Sequence, residues 1–178
     1  MKAWGGLAIA LTLLVQAGST SAQRGAPMID PRGAVGLDGP YDENNPFARI
    51  LREELPVAKV YEDSDALVFI PLAELSPGHV LVIPKRPVRN LLDLKHYEFR
   101  DLMLNVQRAA RAQREALGAT GFKVIVNNGF TAGQTVMHLH FHVIPTYSDK
   151  PLDLNSWRPL SQQEMNRMAA RLADAWQR

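Results

Sequence analysis

From residue 135 to residue 145 the sequence is TVMHLHFHVIP, so three of the five histidines of this 178-residue chain, His138, His140 and His142, occupy alternate positions. An alternation of period two is typical of a β-strand, in which every second side chain points to the same face. The three imidazoles are therefore predicted to share one face, while Leu139 and Phe141 bury the other. Chance rarely places three histidines in register, so the row is a candidate functional site.

Four more short runs have the composition of strands. They are rich in β-branched and aromatic residues and are bounded by Asp, Ser, Pro or Gly. Their sequences are AKVYED (58–63), ALVFI (66–70), HVLVIP (79–84) and KVIVN (123–127). Together with the histidine run, 138–144, they make a set of five predicted strands.

Three helices are predicted around these strands. Asn45 and Pro46 open a short helix predicted over residues 45–55, and apolar residues at helical spacing extend a long helix over residues 97–117. Ser161 with Glu164 forms a capping box that begins a last helix. Strands in close succession around one long helix favour an α+β fold with a five-stranded antiparallel sheet. The apolar side of the histidine strand is predicted to pack on the long helix.

The first 22 residues have the pattern of a secretory signal, with a lysine near the start, an apolar run over residues 7–15 and small residues before a cleavage point after Ala22. The apolar run is too short to remain in a bilayer as a span. We therefore expect a periplasmic or secreted protein with no stable membrane association after cleavage. An uncleaved amino-terminal anchor is the alternative.

The remaining chain divides into three predicted parts. Residues 23–44 mix Gly, Pro, Asp and Asn without periodicity and are predicted to be a linker or surface arm. Residues 45–147 hold all the predicted strands and are predicted to form the domain that carries the candidate site, and residues 148–178 are predicted to form a carboxy-terminal extension with its own helix.

Composition excludes several classes of function. The chain has no cysteine, which excludes disulfides, a cysteine nucleophile and a thiolate zinc site. Lys plus Arg number 20 against 18 for Asp plus Glu, so the chain lacks the strong positive charge of a non-specific nucleic-acid binder. We expect no nucleic-acid partner.

Two chemistries use a row of imidazoles. Three neutral histidines can hold zinc and leave a coordination position open for water. Alternatively, one neutral imidazole attacks phosphorus while its neighbours donate hydrogen bonds to the phosphoryl oxygens. The stretch NNGFTAGQT (127–135) offers amides, hydroxyls and glycines immediately before the row, and these groups suit phosphate better than zinc.

The same residues resemble a known family. GQTVMHLHFHVIP is similar to the signature of the histidine triad (HIT) family, and the likeness extends to NPFARILREELPVAKVYEDSDALVFI, SPGHVLVIPKRP and VIVNNG, or roughly residues 45–147. The resemblance implies an HIT-like α+β fold with one long packing helix and a homodimer. It also implies a hydrolase or transferase that acts on a nucleotide-like small molecule.

The resemblance assigns roles to individual histidines. His140 matches the nucleophile that forms a nucleotidyl-histidine at an α-phosphorus, and His142 matches the residue that bonds the phosphoryl group. His138 matches the histidine that organises the site, and His79 matches the fourth histidine of the family. The covalent step requires no cofactor and no metal ligand from the protein, although a divalent cation accompanies some substrates of the family.

Three polar residues and one departure complete the predicted site. Asn127, Gln134 and Thr135 match positions that contact the nucleotide or its phosphates. The position that in related enzymes bonds the ribose hydroxyls, eight residues before His79, is Pro71 here. Proline has no side-chain donor or acceptor, so this ribose contact is missing, and Glu74 is the candidate to replace it.

Three functions remain open from the sequence. The first is a HIT-type enzyme that cleaves a phosphoramidate or a phosphoanhydride, as a nucleoside phosphoramidase or a dinucleoside polyphosphate hydrolase. The second is a nucleotide- or metal-binding protein that uses the histidine pocket without catalysis, which Pro71 motivates. The third is a zinc hydrolase.

Overall fold

The computed structural model describes residues 37–176. The predicted signal, 1–22, and the first part of the predicted arm lie outside the described residues. Among those described, no helix has the length and apolar character that crossing a membrane requires.

The fold is the predicted α+β arrangement, built on one antiparallel sheet of five strands in the order β1-β2-β4-β6-β5. Its strands are β1 (Ala58–Glu62), β2 (Ala66–Ile70), β4 (Val80–Pro84), β5 (Gly121–Val126) and β6 (Phe141–Thr146). A second, two-stranded ladder joins β3 (Ala73–Glu74) to β7 (Arg158–Pro159). The prediction of five antiparallel strands is confirmed.

Three α-helices accompany the sheet: α1 (Pro46–Leu51), α2 (His96–Leu117) and α3 (Gln162–Trp176). Asn45 caps α1, because its side-chain oxygen accepts from two backbone N–H groups. α1 is shorter than predicted, since the chain turns at Glu53 with a φ of 61°. α2 ends at Gly118, whose φ of 71° suits a residue without a side chain.

The two faces of the sheet bury different clusters. Leu139, Phe141 and Val143 pack with apolar residues of α2 and α3 in the main core, as the alternation predicts. On the opposite face, Phe47 of α1 packs with Phe69 and other side chains of β2 and β4. The histidine side chains lie on this second face, at the end of the sheet that α1 partly covers.

The histidine strand begins later than predicted. β6 starts at Phe141, so His138 and His140 precede it. The register of β6 against β4 would place Pro84 opposite Leu139, and proline has no N–H to continue the ladder. The N–H of Leu139 instead donates to a carbonyl oxygen of the loop after β4 over 2.8 Å.

Candidate active site

Four imidazoles lie together at the second face of the sheet. The ring centroids of His140 and His142 are 5.0 Å apart, and those of His142 and His79 are 5.1 Å apart. His142 sits within β6, and His79 directly precedes β4, the neighbouring strand. The structure thus brings the fourth predicted histidine to the triad, although it is far away in sequence.

His138 is fully buried and both of its ring nitrogens are hydrogen-bonded. Nε2 lies 2.8 Å from the carbonyl oxygen of Pro84, and Nδ1 lies 2.5 Å from the hydroxyl of Tyr41. A carbonyl only accepts, so Nε2 carries the proton. Burial lowers the pKa of His138 to about 4, which keeps the ring neutral at pH 7, so Nδ1 is bare and Tyr41 donates to it.

His140 is oriented by the main chain of His138. Its Nδ1–H donates to the carbonyl oxygen of His138 over 2.7 Å. Burial lowers the pKa of His140, so the ring is neutral at pH 7 and its Nε2 holds an unprotonated lone pair. A neutral imidazole nitrogen with a free lone pair is a nucleophile.

His79 and His142 form a directed chain of hydrogen bonds. The N–H of Leu75 donates to Nδ1 of His79 over 3.3 Å, which leaves the proton of His79 on Nε2. That Nε2 lies 2.9 Å from Nδ1 of His142, so His79 donates and the proton of His142 is on its own Nε2. His142 therefore presents an N–H donor beside the lone pair of His140.

Burial keeps both of these imidazole rings uncharged. Desolvation, with a smaller contribution from His140, lowers the pKa of His79 to about 3. The pKa of His142 is also lowered to about 3, first by burial and then by the two neighbouring imidazoles. Neutral rings keep the donor and acceptor pattern described above throughout the physiological pH range.

The three predicted polar contacts lie in the loop before the triad. Gln134 is buried, and its Nε2 donates to the carbonyl oxygens of Arg89 (2.6 Å) and Val136 (3.1 Å). Asn127 reaches the carbonyl oxygen of Gly133 over 3.4 Å. The side chain of Thr135 is exposed. Both amides thus help to shape this loop, and the proposed contacts of all three residues with phosphate stay predictions.

Glu74 is not free to replace the missing ribose contact. Only 3% of its side chain is exposed, and its Oε1 accepts from the Arg158 guanidinium over 2.5 Å. The second oxygen accepts from the N–H of Gly78 over 3.3 Å. Glu74 therefore anchors β7 to the loop before His79, and the suggestion that it binds a sugar is not supported by this geometry.

Two aromatic rings border the imidazoles. Phe47 lies edge-on to His140, with centroids 5.1 Å apart, and its place in α1 follows from the helical spacing of that segment. Trp157 approaches His79 to 5.7 Å and His142 to 6.1 Å from the carboxy-terminal extension of the same chain. From sequence, Trp157 is a candidate either to cover a leaving group or to anchor the carboxy-terminal tail, and no pattern in the sequence signals its contact with these two rings.

Tyr41 is the site residue that sequence reasoning missed. It lies in the aperiodic segment predicted to be a linker or surface arm, where no spacing or motif singles it out. A single tyrosine outside any repeat carries no signal from which its hydrogen bond to His138 could be predicted.

The ring nitrogens point to one another and to main-chain carbonyls. Both nitrogens of His138 and of His79 are used in these bonds, and within residues 37–176 no group of three or more acidic or histidine side chains is arranged to hold a metal ion. The arrangement matches a nucleophile with a neighbouring donor better than three ligands that converge on zinc.

Comparison with known proteins places this geometry in context. The family model described as the HIT domain matches residues 52–149. Protein hit of Bacillus subtilis is 40% identical over 110 residues, which are 59% of this chain and 72% of that protein.

Two solved structures are also similar. A zinc-bound histidine triad family protein from Mycobacterium smegmatis superposes with a TM-score of 0.68 at 30% identity, over 75% of this chain and 94% of that one. A hypothetical histidine triad nucleotide-binding protein from Sulfolobus tokodaii gives a TM-score of 0.67 at 27% identity, over 74% of this chain and 91% of that one.

Proposed function

Because the chain belongs to the HIT domain family, we propose that it is a nucleotide hydrolase or transferase that cleaves a phosphoramidate or phosphoanhydride bond at an α-phosphorus. The observation that carries the proposal is the pairing of a bare Nε2 on His140 with an Nε2–H on His142. One nitrogen attacks, and the other holds the oxygen on which negative charge accumulates.

The reaction proceeds in two displacements. Nε2 of His140 attacks the α-phosphorus, the bond from phosphorus to the leaving nitrogen or oxygen breaks, and the leaving group departs with that electron pair and takes a proton from solvent. His142 donates to a non-bridging oxygen during this step. Water then attacks the same phosphorus, the bond to His140 breaks with its electron pair returning to Nε2, and the water proton is released.

The loop before the triad is the proposed phosphate-binding element. Thr135 is exposed, and the Asn127 amide lies in the same loop, where its nitrogen donates to the carbonyl oxygen of Gly133 over 3.4 Å. Both side chains are proposed to contact the nucleotide. Gln134 holds the loop through main-chain carbonyls while its oxygen accepts from the N–H of Gly129. No cofactor takes part in the covalent step, and a divalent cation enters only with the substrate.

A steady-state assay tests the enzymatic proposal. Mature protein is given an adenosine phosphoramidate and, separately, a dinucleoside polyphosphate, each with and without a chelator, and nucleoside monophosphate is measured. Release from at least one compound that persists with chelator is expected, and the preferred compound decides between phosphoramidase and polyphosphate hydrolase. Activity that the chelator abolishes for the phosphoramidate would support a zinc hydrolase instead.

A non-catalytic binding protein is the second candidate, favoured by Pro71, which removes a polar contact at the exit of β2. Calorimetric titration with a nucleoside monophosphate and with zinc, on the wild type and on His140→Ala, separates the two. A binding protein would bind one of these ligands without turning over either substrate. An enzyme shows turnover in the wild type and keeps much of its nucleotide affinity in the variant.

A homodimer is the proposed assembly. β5 is an edge strand of the sheet, and its Phe122 and Val124 expose 56% and 38% of their surface. Exposed apolar side chains on a strand whose outer edge is unpaired within the sheet favour a partner that covers them. Sedimentation should show a dimer for the wild type and a monomer for Phe122→Lys, and a monomeric wild type would contradict the assembly.

Export is proposed from the amino-terminal sequence alone. The mature protein would begin after Ala22 and reside in the periplasm or outside the cell, without stable membrane association and without a nucleic-acid partner. Fractionation of expressing cells followed by amino-terminal sequencing tests this location and the cleavage site. Full-length protein in the cytoplasmic fraction would contradict it.

A further inference from the structure

The segment before α1 is part of the histidine site. The hydroxyl of Tyr41 donates to Nδ1 of His138 over 2.5 Å, although the two residues are 97 positions apart. Tyr41 lies outside residues 52–149, which the HIT domain model matches. The contact therefore involves a residue outside the segment that the family model matches.

The extension is held against the domain by main-chain contacts on both sides of Gly39. The Arg89 guanidinium donates to the carbonyl oxygen of Pro40 over 2.7 Å, and the Asn90 amide donates to that of Leu37 over 2.8 Å. Gly39 has a φ of 138°, and a side chain there would meet the Arg89 guanidinium at 2.6 Å. Tyr41 thus reaches His138 from a fixed segment.

The Tyr41 hydroxyl is the hydrogen-bond donor to the second ring nitrogen of His138. Pro84 accepts from Nε2–H, so Nδ1 is a bare acceptor inside a fully buried ring. A buried acceptor without a donor is unfavourable by about 1–3 kcal/mol. Burial also raises the pKa of Tyr41, which keeps the hydroxyl protonated at neutral pH.

His138 also contacts His140, through its main-chain carbonyl. The same residue that accepts from Tyr41 through its ring accepts from Nδ1–H of His140 through its main-chain carbonyl. That carbonyl bond leaves the lone pair of His140 on Nε2, where the attack on phosphorus is proposed. The ring of Phe47 lies edge-on to both imidazoles and holds them on their other side.

We propose that Tyr41 is a positioning residue: its hydroxyl holds the ring of His138, whose Nε2–H is bound to the Pro84 carbonyl, and thereby fixes the main-chain carbonyl that orients His140. The kinetic consequence rests on the proposed function, whereas the hydrogen bond is a property of the free protein. The two are therefore tested separately.

The test compares Tyr41→Phe with Tyr147→Phe, a matched control in which a half-buried tyrosine loses its bond to the carbonyl oxygen of Pro77. Long-range proton–nitrogen correlations of the histidine rings are recorded at pH 7 without ligand. In the wild type, His138 should carry its proton on Nε2, with a correlation from the Tyr41 hydroxyl proton to Nδ1. Tyr41→Phe should shift the signals of Nδ1 of His138 and of Nδ1–H of His140, and Tyr147→Phe should leave His138 unchanged.

Kinetics provide the second readout. Tyr41→Phe should lower kcat about 5- to 30-fold with little change in KM, because the substrate contacts remain while the His138 segment that orients the nucleophile is held less firmly. A wild-type His138 protonated on Nδ1, or unchanged rings in Tyr41→Phe, would overturn the proposal, and the wild-type spectrum decides even if the variant does not fold. Altered His138 with an unaltered His140 and unaltered kcat would overturn the link to the nucleophile. If the wild type turns over neither substrate, the proposed function fails and the ring spectra still decide the role of Tyr41.

Discussion

Nε2 of His79 donates to Nδ1 of His142 over 2.9 Å, and this bond determines which nitrogen of His142 carries the proton. The Leu75 N–H donates to Nδ1 of His79 over 3.3 Å. This bond leaves the proton of His79 on Nε2, so His79 is the donor to His142. His142 thereby presents an N–H donor while staying uncharged. In the proposed mechanism, His79 acts on the phosphoryl group only through His142.

Replacing His79 by Phe should therefore impair the chemical step more than binding. The ring size is kept, but Nδ1 of His142 loses its donor and the Nε2–H form is no longer favoured. We expect kcat to fall about 5- to 30-fold with a small change in KM. The exposed His96, at the start of α2, supplies the control variant His96→Gln, whose kinetics should match those of the wild type. A His79→Phe enzyme that raises KM alone would contradict this role.

Stability should fall as the protein is acidified. The folded pKa values of His79, His138 and His142 are about 3, 4 and 3, whereas a histidine in the unfolded chain titrates near about 6.5. Below about pH 6.5 the unfolded chain binds protons that the folded protein excludes, so the stabilisation present above that pH is lost as pH falls towards the folded values. Each histidine contributes a slope of up to about 1.4 kcal/mol per pH unit.

Urea unfolding between pH 7.5 and about pH 5, above the usual range of carboxylates, measures this slope. His142→Phe should reduce the dependence of the free energy of unfolding on pH, and His96→Gln should retain it. A wild-type free energy of unfolding that stays constant over this interval would contradict the prediction, because it would mean that the histidines have the same pKa values in the folded and unfolded states.

Ribose selectivity should respond to Pro71. This residue follows β2, at the position where the resemblance to the HIT family implies an acid or amide that bonds the ribose hydroxyls. Wild-type protein is expected to discriminate weakly between a ribonucleotide and its 2′-deoxy analogue. Pro71→Asp should lower KM for the ribonucleotide alone, by about 10- to 150-fold for a hydrogen bond to a charged group. Pro71→Ala is the matched control, and equal KM changes for both sugars would contradict the assignment.

Much of the fold follows from local pattern. The five strands and the long helix are visible in the sequence because period-two runs and a 3.6-residue repeat are each set by one face that must be buried. The start of β6 could not be predicted, because it depends on Pro84 lying opposite Leu139, a long-range register that composition does not encode. α1 ends early for a similar reason, since the turn at Glu53 has no marker in sequence.

Part of the candidate site could also be predicted from the sequence, and part could not. The alternation of His138, His140 and His142 marks the row, and the family likeness adds His79. The direction of each proton could not be predicted, because it depends on carbonyl and N–H groups such as those of Pro84 and Leu75, which every residue has. Tyr41 and the use of Glu74 as an anchor for Arg158 arise only from tertiary contacts.

The most direct measurement is the intact mass of the mature protein quenched within milliseconds of mixing with an adenosine phosphoramidate or a dinucleoside polyphosphate, in the presence of chelator. Wild-type protein is expected to gain the mass of one nucleotidyl group, which peptide mapping places on His140. His140→Ala should bind the nucleotide and show no such gain, and His96→Gln should behave as the wild type does. Turnover by the wild type with no adduct at any time, or an equal adduct on His140→Ala, would contradict covalent catalysis by His140.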